Sequence, residues 1–195
     1  MSGLPEQFGP IDIYLFDQLL RGRITPGMRI FDAGCGSGRN LVYLLREGYE
    51  VYGVDANPHA IEMTRRLAGS GHFRVEALEA MSFPDAFADV VISSAVLHLA
   101  RDEEQFGAML HGTWRVLKPG GMLFCRLAST IGIEGQVRPV SGRRFLLPDG
   151  SERYLVDEAI LMRLTNELGG ELLDPLKTTV VQNQRSMTTW VVRKK

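Results

Sequence analysis

The run Asp32-Ala33-Gly34-Cys35-Gly36-Ser37-Gly38 constrains this chain more than any other stretch, because of what flanks it. A short apolar run, Met28-Arg29-Ile30-Phe31, precedes it, and the amphipathic segment Asn40-Leu41-Val42-Tyr43-Leu44-Leu45 follows. That order reads as strand, glycine loop, helix, the context in which a glycine motif carries meaning. Glycines let the backbone turn sharply and come close to a ligand, and the N-terminus of the following helix is expected to face what is bound. The spacing then selects among ligands. A dinucleotide loop, G-x-G-x-x-G, would put its third glycine at position 39; here 39 is arginine and the glycine arrives at 38.

The carboxylate of Asp32 selects further. Beside a pyrophosphate it would be an unfavourable like charge in a partly desolvated pocket, whereas beside a cation it is favourable. S-adenosylmethionine carries an ammonium and a sulfonium and no phosphate, so the loop reads as a site for that cofactor. Cofactor contacts are expected from Asp32, Gly34, Cys35, Gly36 and Asn40. Asp55, at the end of the next strand and about 20 residues past the loop, is placed to accept from both ribose hydroxyls, with Ala56 beside it. Ala77 and Leu78 are expected to offer backbone groups to the adenine, and Ser94 to run past the methionyl part.

Apolar runs alternate with helical patterns along the chain, the signature of a doubly wound parallel sheet. Strands are expected at 28–33, 50–55, 73–75, 89–93 and 122–127. Helices are expected at 11–21, 39–48, 58–68 with Asn57 as N-cap, and 103–117, stopping at Lys118-Pro119-Gly120-Gly121. Beyond Ser129 the pattern changes: a hairpin around Pro148-Asp149-Gly150, a helix from Asp157 to about Leu168, and a final hairpin from strands 176–183 and 186–193. The terminal hairpin adds antiparallel strands to a mostly parallel, seven-stranded sheet. The reading is α/β and one domain over 1–195, with 1–25 as an N-terminal cap and 129–157 as a lid.

Composition narrows the partners. With 45% hydrophobic and 23% charged residues the chain can bury a core. A net charge of −1 gives no general attraction to nucleic acid or an anionic membrane. Two cysteines make neither a zinc-finger set nor a disulfide framework, and His59, His72 and His111 lack partner spacing, so no metal site is expected. Met1 to Glu6 lacks a basic region followed by an apolar one, and no apolar run is long enough to span a bilayer, so a cytoplasmic protein, monomer or homodimer, is expected.

Four motifs, taken together, resemble the class I S-adenosylmethionine-dependent methyltransferases. They are Asp-Ala-Gly-Cys-Gly-Ser-Gly, then Gly-Val-Asp-Ala-Asn-Pro, then Phe-Pro-Asp-Ala-Phe-Ala-Asp-Val-Val, then Arg-Val-Leu-Lys-Pro-Gly-Gly, within residues 29–127. The resemblance implies a Rossmann-like fold, S-adenosylmethionine as methyl donor and S-adenosylhomocysteine as product. It assigns Asp32, Gly34 and Gly36 to the methionine part and Asp55 to the ribose. Many members carry an aspartate after strand three that meets the adenine amine; the matching position here is Ala77, with Glu76 or Glu79 as substitutes. A narrower likeness, in Gly-Cys-Gly-Ser-Gly-Arg-Asn, Tyr-Leu-Leu-Arg-Glu-Gly-Tyr-Glu-Val and the terminal Thr-Thr-Trp-Val-Val-Arg-Lys, is similar to methyltransferases of the TehB, tellurite-resistance type. Those use basic residues including histidine near the C-terminal hairpin; this chain has no histidine beyond His111, and Arg185 is the candidate there.

Methyl transfer from a sulfonium needs mainly a nucleophile held in line and water kept out, with a general base only if a proton must leave. His98, after strand four, reads as a group that orients or deprotonates the acceptor, or as a hydrogen-bonded wall. Tyr14 and Phe16 read as closing over the cofactor, or as core. Arg126 reads as drawing an anionic substrate, or as one half of a surface ion pair. The leading expectation is a small-molecule methyltransferase. An RNA or protein methyltransferase and a non-catalytic cofactor-binding protein stand as alternatives.

Overall fold

The computed structural model describes residues 3–68 and 72–195; of the opening stretch read for a leader, Met1 and Ser2 lie outside the described residues. Two helices come first, α1 (Leu4–Phe8) and α2 (Ile13–Leu20). Alternation follows: β1 (Arg29–Ala33), α3 (Val42–Arg46), β2 (Glu50–Asp55), α4 (Pro58–Ala68), β3 (Phe73–Val75), β4 (Ala88–Ser94), α5 (Glu103–Arg115) and β5 (Leu117–Ala128). Short 3-10 turns at Leu78–Ala80 and Leu97–Leu99 follow β3 and β4. The last third holds β6 (Arg138–Ser141), β7 (Arg144–Leu146), β8 (Glu152–Tyr154), α6 (Glu158–Glu167), β9 (Gly170–Leu172), β10 (Lys177–Val181) and β11 (Arg185–Lys194).

The main sheet has the order β10-β11-β5-β4-β1-β2-β3, with β9 added against β11. β3, β2, β1, β4 and β5 pair in parallel, while β11 is antiparallel to β5, β10 and β9. This is the mostly parallel Rossmann-like sheet with a C-terminal hairpin that the sequence pattern predicts. After β1 the chain steps outward to β2 and β3, then crosses back to β4 on the other side of β1. That reversal is where an open sheet of this kind leaves a crevice at its carboxyl ends.

Side-chain alternation divides the core between the sheet's faces. Phe31 and Val91 join one cluster with Leu110 and Trp114 of α5, Leu161 of α6 and Trp190 of β11. Ile30, Val90 and Ile92 join another with Leu15 of α2, Leu44 of α3 and Ile61 of α4. The strands β6, β7 and β8 form a separate antiparallel sheet. It is anchored by Leu147 and Leu155 packing with Ala128 at the end of β5.

Several expected boundaries shift. The helix expected over 39–48 is only Val42–Arg46, because Gly38 sits at φ +82 and buried Asn40 accepts from the Asp12 N–H at 3.0 Å, which holds residues 37–41 in turns. The glycine loop therefore leads into a turn and not directly into a helix N-terminus. The helix expected over 103–117 ends at Arg115, short of Lys118-Pro119-Gly120-Gly121, and that motif is not a separate turn but lies inside β5, whose pairing with β4 shifts register between Ala88 and Val90. Asn57 accepts from the His59 N–H at 3.0 Å as the expected cap of α4.

Candidate active site

A cavity of about 450 Å³ opens at the carboxyl ends of β1, β2 and β4. The loop contributes Gly34, Cys35, Gly36, Ser37, Arg39 and Asn40; β2 and its exit contribute Asp55 and Ala56. Ala77, Leu78 and Glu79 come from the segment after β3, and Ser94, Ala95 and Val96 from the end of β4. Gly34 has φ +86, and a Cβ there would run into the Val96 side chain, so only glycine lets the loop pass this close to the β4 exit.

Asp55 is fixed from two sides. Its Oδ2 accepts from the Gly36 N–H at 2.9 Å and its Oδ1 from the Asn57 N–H at 2.8 Å. Each carboxylate oxygen keeps a further acceptor position, which suits a pair of neighbouring hydroxyls. Asp32 lies outside the cavity lining and is buried, with Oδ2 lacking any partner. Burial pushes its carboxyl up to about 7, with Asp55 adding to the rise and the Arg39 cation opposing it. Burial also pushes the Cys35 thiol well above the ordinary range, so that residue is an inert wall.

A second cavity, of about 380 Å³, adjoins the first, and Arg39 and Ala95 line both. Ala95 is held at φ +65, with its N–H donating to the Arg126 carbonyl at 2.7 Å. A non-glycine residue in that region costs of order 1–3 kcal/mol and persists where surrounding structure insists on it. His98 and Arg126 line this cavity, together with Leu147, Asp149, Ser151 and Arg153 from the small sheet and Arg185 and Met187 from β11. The Nδ1 of His98 accepts from the Ala128 N–H at 3.1 Å, and burial and the nearby Arg153 cation push the imidazole down to about 4. At neutral pH the ring is uncharged and its proton sits on Nε2, so His98 is a donor and not a base.

Tyr14 reaches neither cavity. Its hydroxyl is bonded to Thr179 Oγ1 at 2.5 Å, and its ring carries the Arg126 guanidinium 5.3 Å from the centroid. Phe16 packs on Phe8 instead of on the crevice. Arg126 pairs with buried Asp12 at 3.0 Å, an internal ion pair where a surface pair is the sequence reading. Among the described residues no group of three or more His, Cys, Asp or Glu is placed to hold a metal ion. Among the described residues no helix is long and apolar enough to cross a membrane.

A family profile described as a methyltransferase domain matches residues 31–125, the strands and turns that build the first cavity. Over that stretch, just under half of the chain, it is similar to methyltransferases. An uncharacterized methyltransferase of Synechocystis sp. is 33% identical over 99 residues, 51% of this chain and 46% of the relative. The chain spans less than half the length of the first curated methyltransferases it matches. An S-adenosylmethionine-dependent methyltransferase from Methanosarcina mazei shares the fold at a TM-score of 0.76 and 23% identity, over 90% of this chain and 96% of that one. A TehB-like methyltransferase from Corynebacterium glutamicum shares it at 0.64 and 21%, over 94% and 89%.

S-adenosylmethionine, the cofactor the resemblance implies, can be tested against the crevice's own chemistry. Asp32, expected to touch the cofactor, is instead buried outside the lining with one oxygen unpartnered and the Arg39 cation near enough to act on it. Its charge therefore reaches the crevice across the loop and not by contact. A Cβ on Gly36 would meet nothing within 4 Å, so the loop presents bare backbone to open space. At the adenine position Glu76 is committed elsewhere, accepting from the Ser82 N–H at 2.9 Å. Glu79 lines the cavity and accepts from Gln105 Nε2 at 2.9 Å. Sequence reading misses Gln105, Leu99 and Met109, which reach the crevice from α5 and the turn before it. No motif marks them; only the packing of α5 against the Leu78–Ala80 turn brings them there.

Proposed function

We propose that this methyltransferase transfers a methyl group from S-adenosylmethionine to a small-molecule acceptor held in the second cavity. The observation that carries the reading is the junction of the two cavities at Ala95 and Arg39, with the second of small-molecule size. In this reading Asp55 holds the ribose, the Glu79–Gln105 pair meets the adenine edge, and Asp32 offsets the cofactor's positive charge. Bound there, S-adenosylmethionine supplies an electrophilic methyl carbon whose bond to sulfur breaks with the electron pair left on sulfur, giving S-adenosylhomocysteine. The protein's part is to place the acceptor in line and to exclude water. His98 orients the acceptor through its Nε2 proton, and the segment 129–157 acts as the lid that selects it. With His98 a donor, any proton the acceptor must lose goes to a group other than this imidazole.

The test is calorimetric titration with S-adenosylmethionine and S-adenosylhomocysteine, followed by a radiolabelled-methyl screen over thiols, phenols, amines, carboxylates and tRNA. Both ligands are expected to bind, and label is expected in small acceptors. Asp55→Ala is expected to weaken binding about tenfold or more, since hydrogen bonds to a charged group contribute roughly 1.5–3 kcal/mol each. Unchanged affinity in that variant would refute the ribose assignment, and no binding by either ligand would refute the function.

A further inference from the structure

Four arginines converge on the second cavity from distant parts of the chain: Arg39 after the glycine loop, Arg126 in β5, Arg153 in β8 and Arg185 in β11. This happens in a protein whose net charge is −1, so it is not a by-product of a generally basic surface. Like charges gathered in a partly desolvated cleft repel unless something of opposite sign sits among them. The protein supplies little of it. Asp12 alone serves both Arg126, at 3.0 Å, and Arg39, at 3.8 Å. The Arg126 Nε is buried without an acceptor. Arg153 bonds only to the neighbouring Glu152 carbonyl, and among the described residues neither Arg153 nor Arg185 has a carboxylate in ion-pair range. Asp149 is the one acid in the lining; both its hydrogen bonds go to Ser151, and Arg153 and Arg185 act on its carboxylate only from beyond ion-pair range, so it offsets them in part. His98 adds no negative charge. The rest of the lining is apolar, with Ala128, Leu147 and Met187, and about 380 Å³ far exceeds what a small inorganic oxyanion fills.

We infer that the acceptor carries a carboxylate or phosphate on an apolar scaffold, and that Arg126, Arg153 and Arg185 hold the anionic group. The inference rests on the reading of this cavity as the acceptor site. Charge-assisted, forked hydrogen bonds from guanidinium groups are the usual means of fixing such an anion in one orientation. The apolar lining takes the scaffold, and the Ala95 end takes the atom to be methylated.

The experiment titrates the full chain, saturated with S-adenosylhomocysteine, with matched pairs: 4-hydroxybenzoate against 4-hydroxybenzamide, and phenyl phosphate against phenol, with sodium phosphate alone as a further arm. The anionic member of each pair is expected to bind roughly tenfold tighter or more, as charge-assisted hydrogen bonds imply. In R153Q/R185Q that preference is expected to vanish while cofactor affinity stays within about twofold, because neither side chain contributes to the first cavity. Equal affinity within pairs, no binding by any member, or a preference that survives in the double variant overturns the inference. Inorganic phosphate binding as tightly as the aryl anions overturns it too, since the cavity would then be a free-anion site. Methyl transfer to neutral acceptors that ignores both arginines overturns this inference and leaves the small-molecule reading standing. Label found only in RNA or protein removes the small-molecule reading itself.

Discussion

At the scale of single residues, Asp32 sets ligand chemistry against stability. The protein buries a carboxyl with one oxygen unpaired, and its pKa rises to about 7. The sign follows directly. The folded state keeps the proton up to about pH 7 while the unfolded chain releases it near 3.8, so stability falls as pH rises between those values. Asp32→Asn is therefore expected to stabilise the unliganded protein at pH 8 by up to roughly 4 kcal/mol, with the gap narrowing toward pH 5, in urea titrations at each pH. The same variant is expected to bind S-adenosylmethionine more weakly and to lose the wild-type gain in affinity between pH 6 and 8. A variant no more stable than wild type at pH 8 would mean that Asp32 is satisfied in a way the geometry does not show. Residues such as Asp32 and Asp55 are legible in the sequence because the loop fixes them locally. Arg185 is legible only through the TehB-type resemblance, and Arg153 and Gln105 are not, since each acquires its meaning from a partner surface more than 20 residues away.

At the scale of elements, the wall of the first cavity depends on one helix contact. α5 approaches the Leu78–Ala80 turn so closely that a Cβ on Gly112 would overlap the Leu78 carbonyl oxygen. Gly112→Ala is expected to cost about 1–3 kcal/mol by overpacking and to weaken cofactor binding, because Leu78 and its neighbours line the crevice. Gly107→Ala, on the same helix with nothing within 4 Å of its Cβ, is expected to be neutral or to stabilise by up to about 1 kcal/mol. Urea unfolding of both variants with cofactor titration separates the two outcomes; equal effects would remove the packing explanation. Elements that read as near-continuous apolar runs, such as β1, β2 and β4, are read from sequence to within a residue or so. β6 is exposed along its length and offers no apolar signal, and β9 is three residues on an edge. The long helix expected after the loop is cut short by Asn40, whose partner Asp12 is 28 residues away.

At the scale of the molecule, Asp12 joins parts that the chain order separates. It caps α2 by accepting from the Tyr14 N–H at 3.0 Å, and it accepts from Arg126 at 3.0 Å and from Ser94 Oγ at 3.4 Å. Ser94 belongs to the first cavity, Arg126 to the second, and Arg39 to both. Asp12→Ala leaves a largely buried arginine unpaired and is expected to cost about 3 kcal/mol in chemical denaturation. Affinity for cofactor and for an anionic acceptor analogue should fall together. Asp174→Asn weakens the pair of Asp174 with Arg23, 2.7 Å apart and away from both cavities, and is expected to lower stability alone. Loss of affinity in both variants would show that the effect is general loosening and not the network.

The two cavities draw on different stretches of chain. Residues 34–109 furnish the first, while the second takes Arg39, Ala95 and His98 from that stretch and everything else from residues 126–187. Ala95, in its left-handed conformation, is the partition they share. Such a division makes the protein evolvable in one direction. Under the proposed function, drift in the last third would retune which molecule is accepted while the residues of the first cavity stay intact.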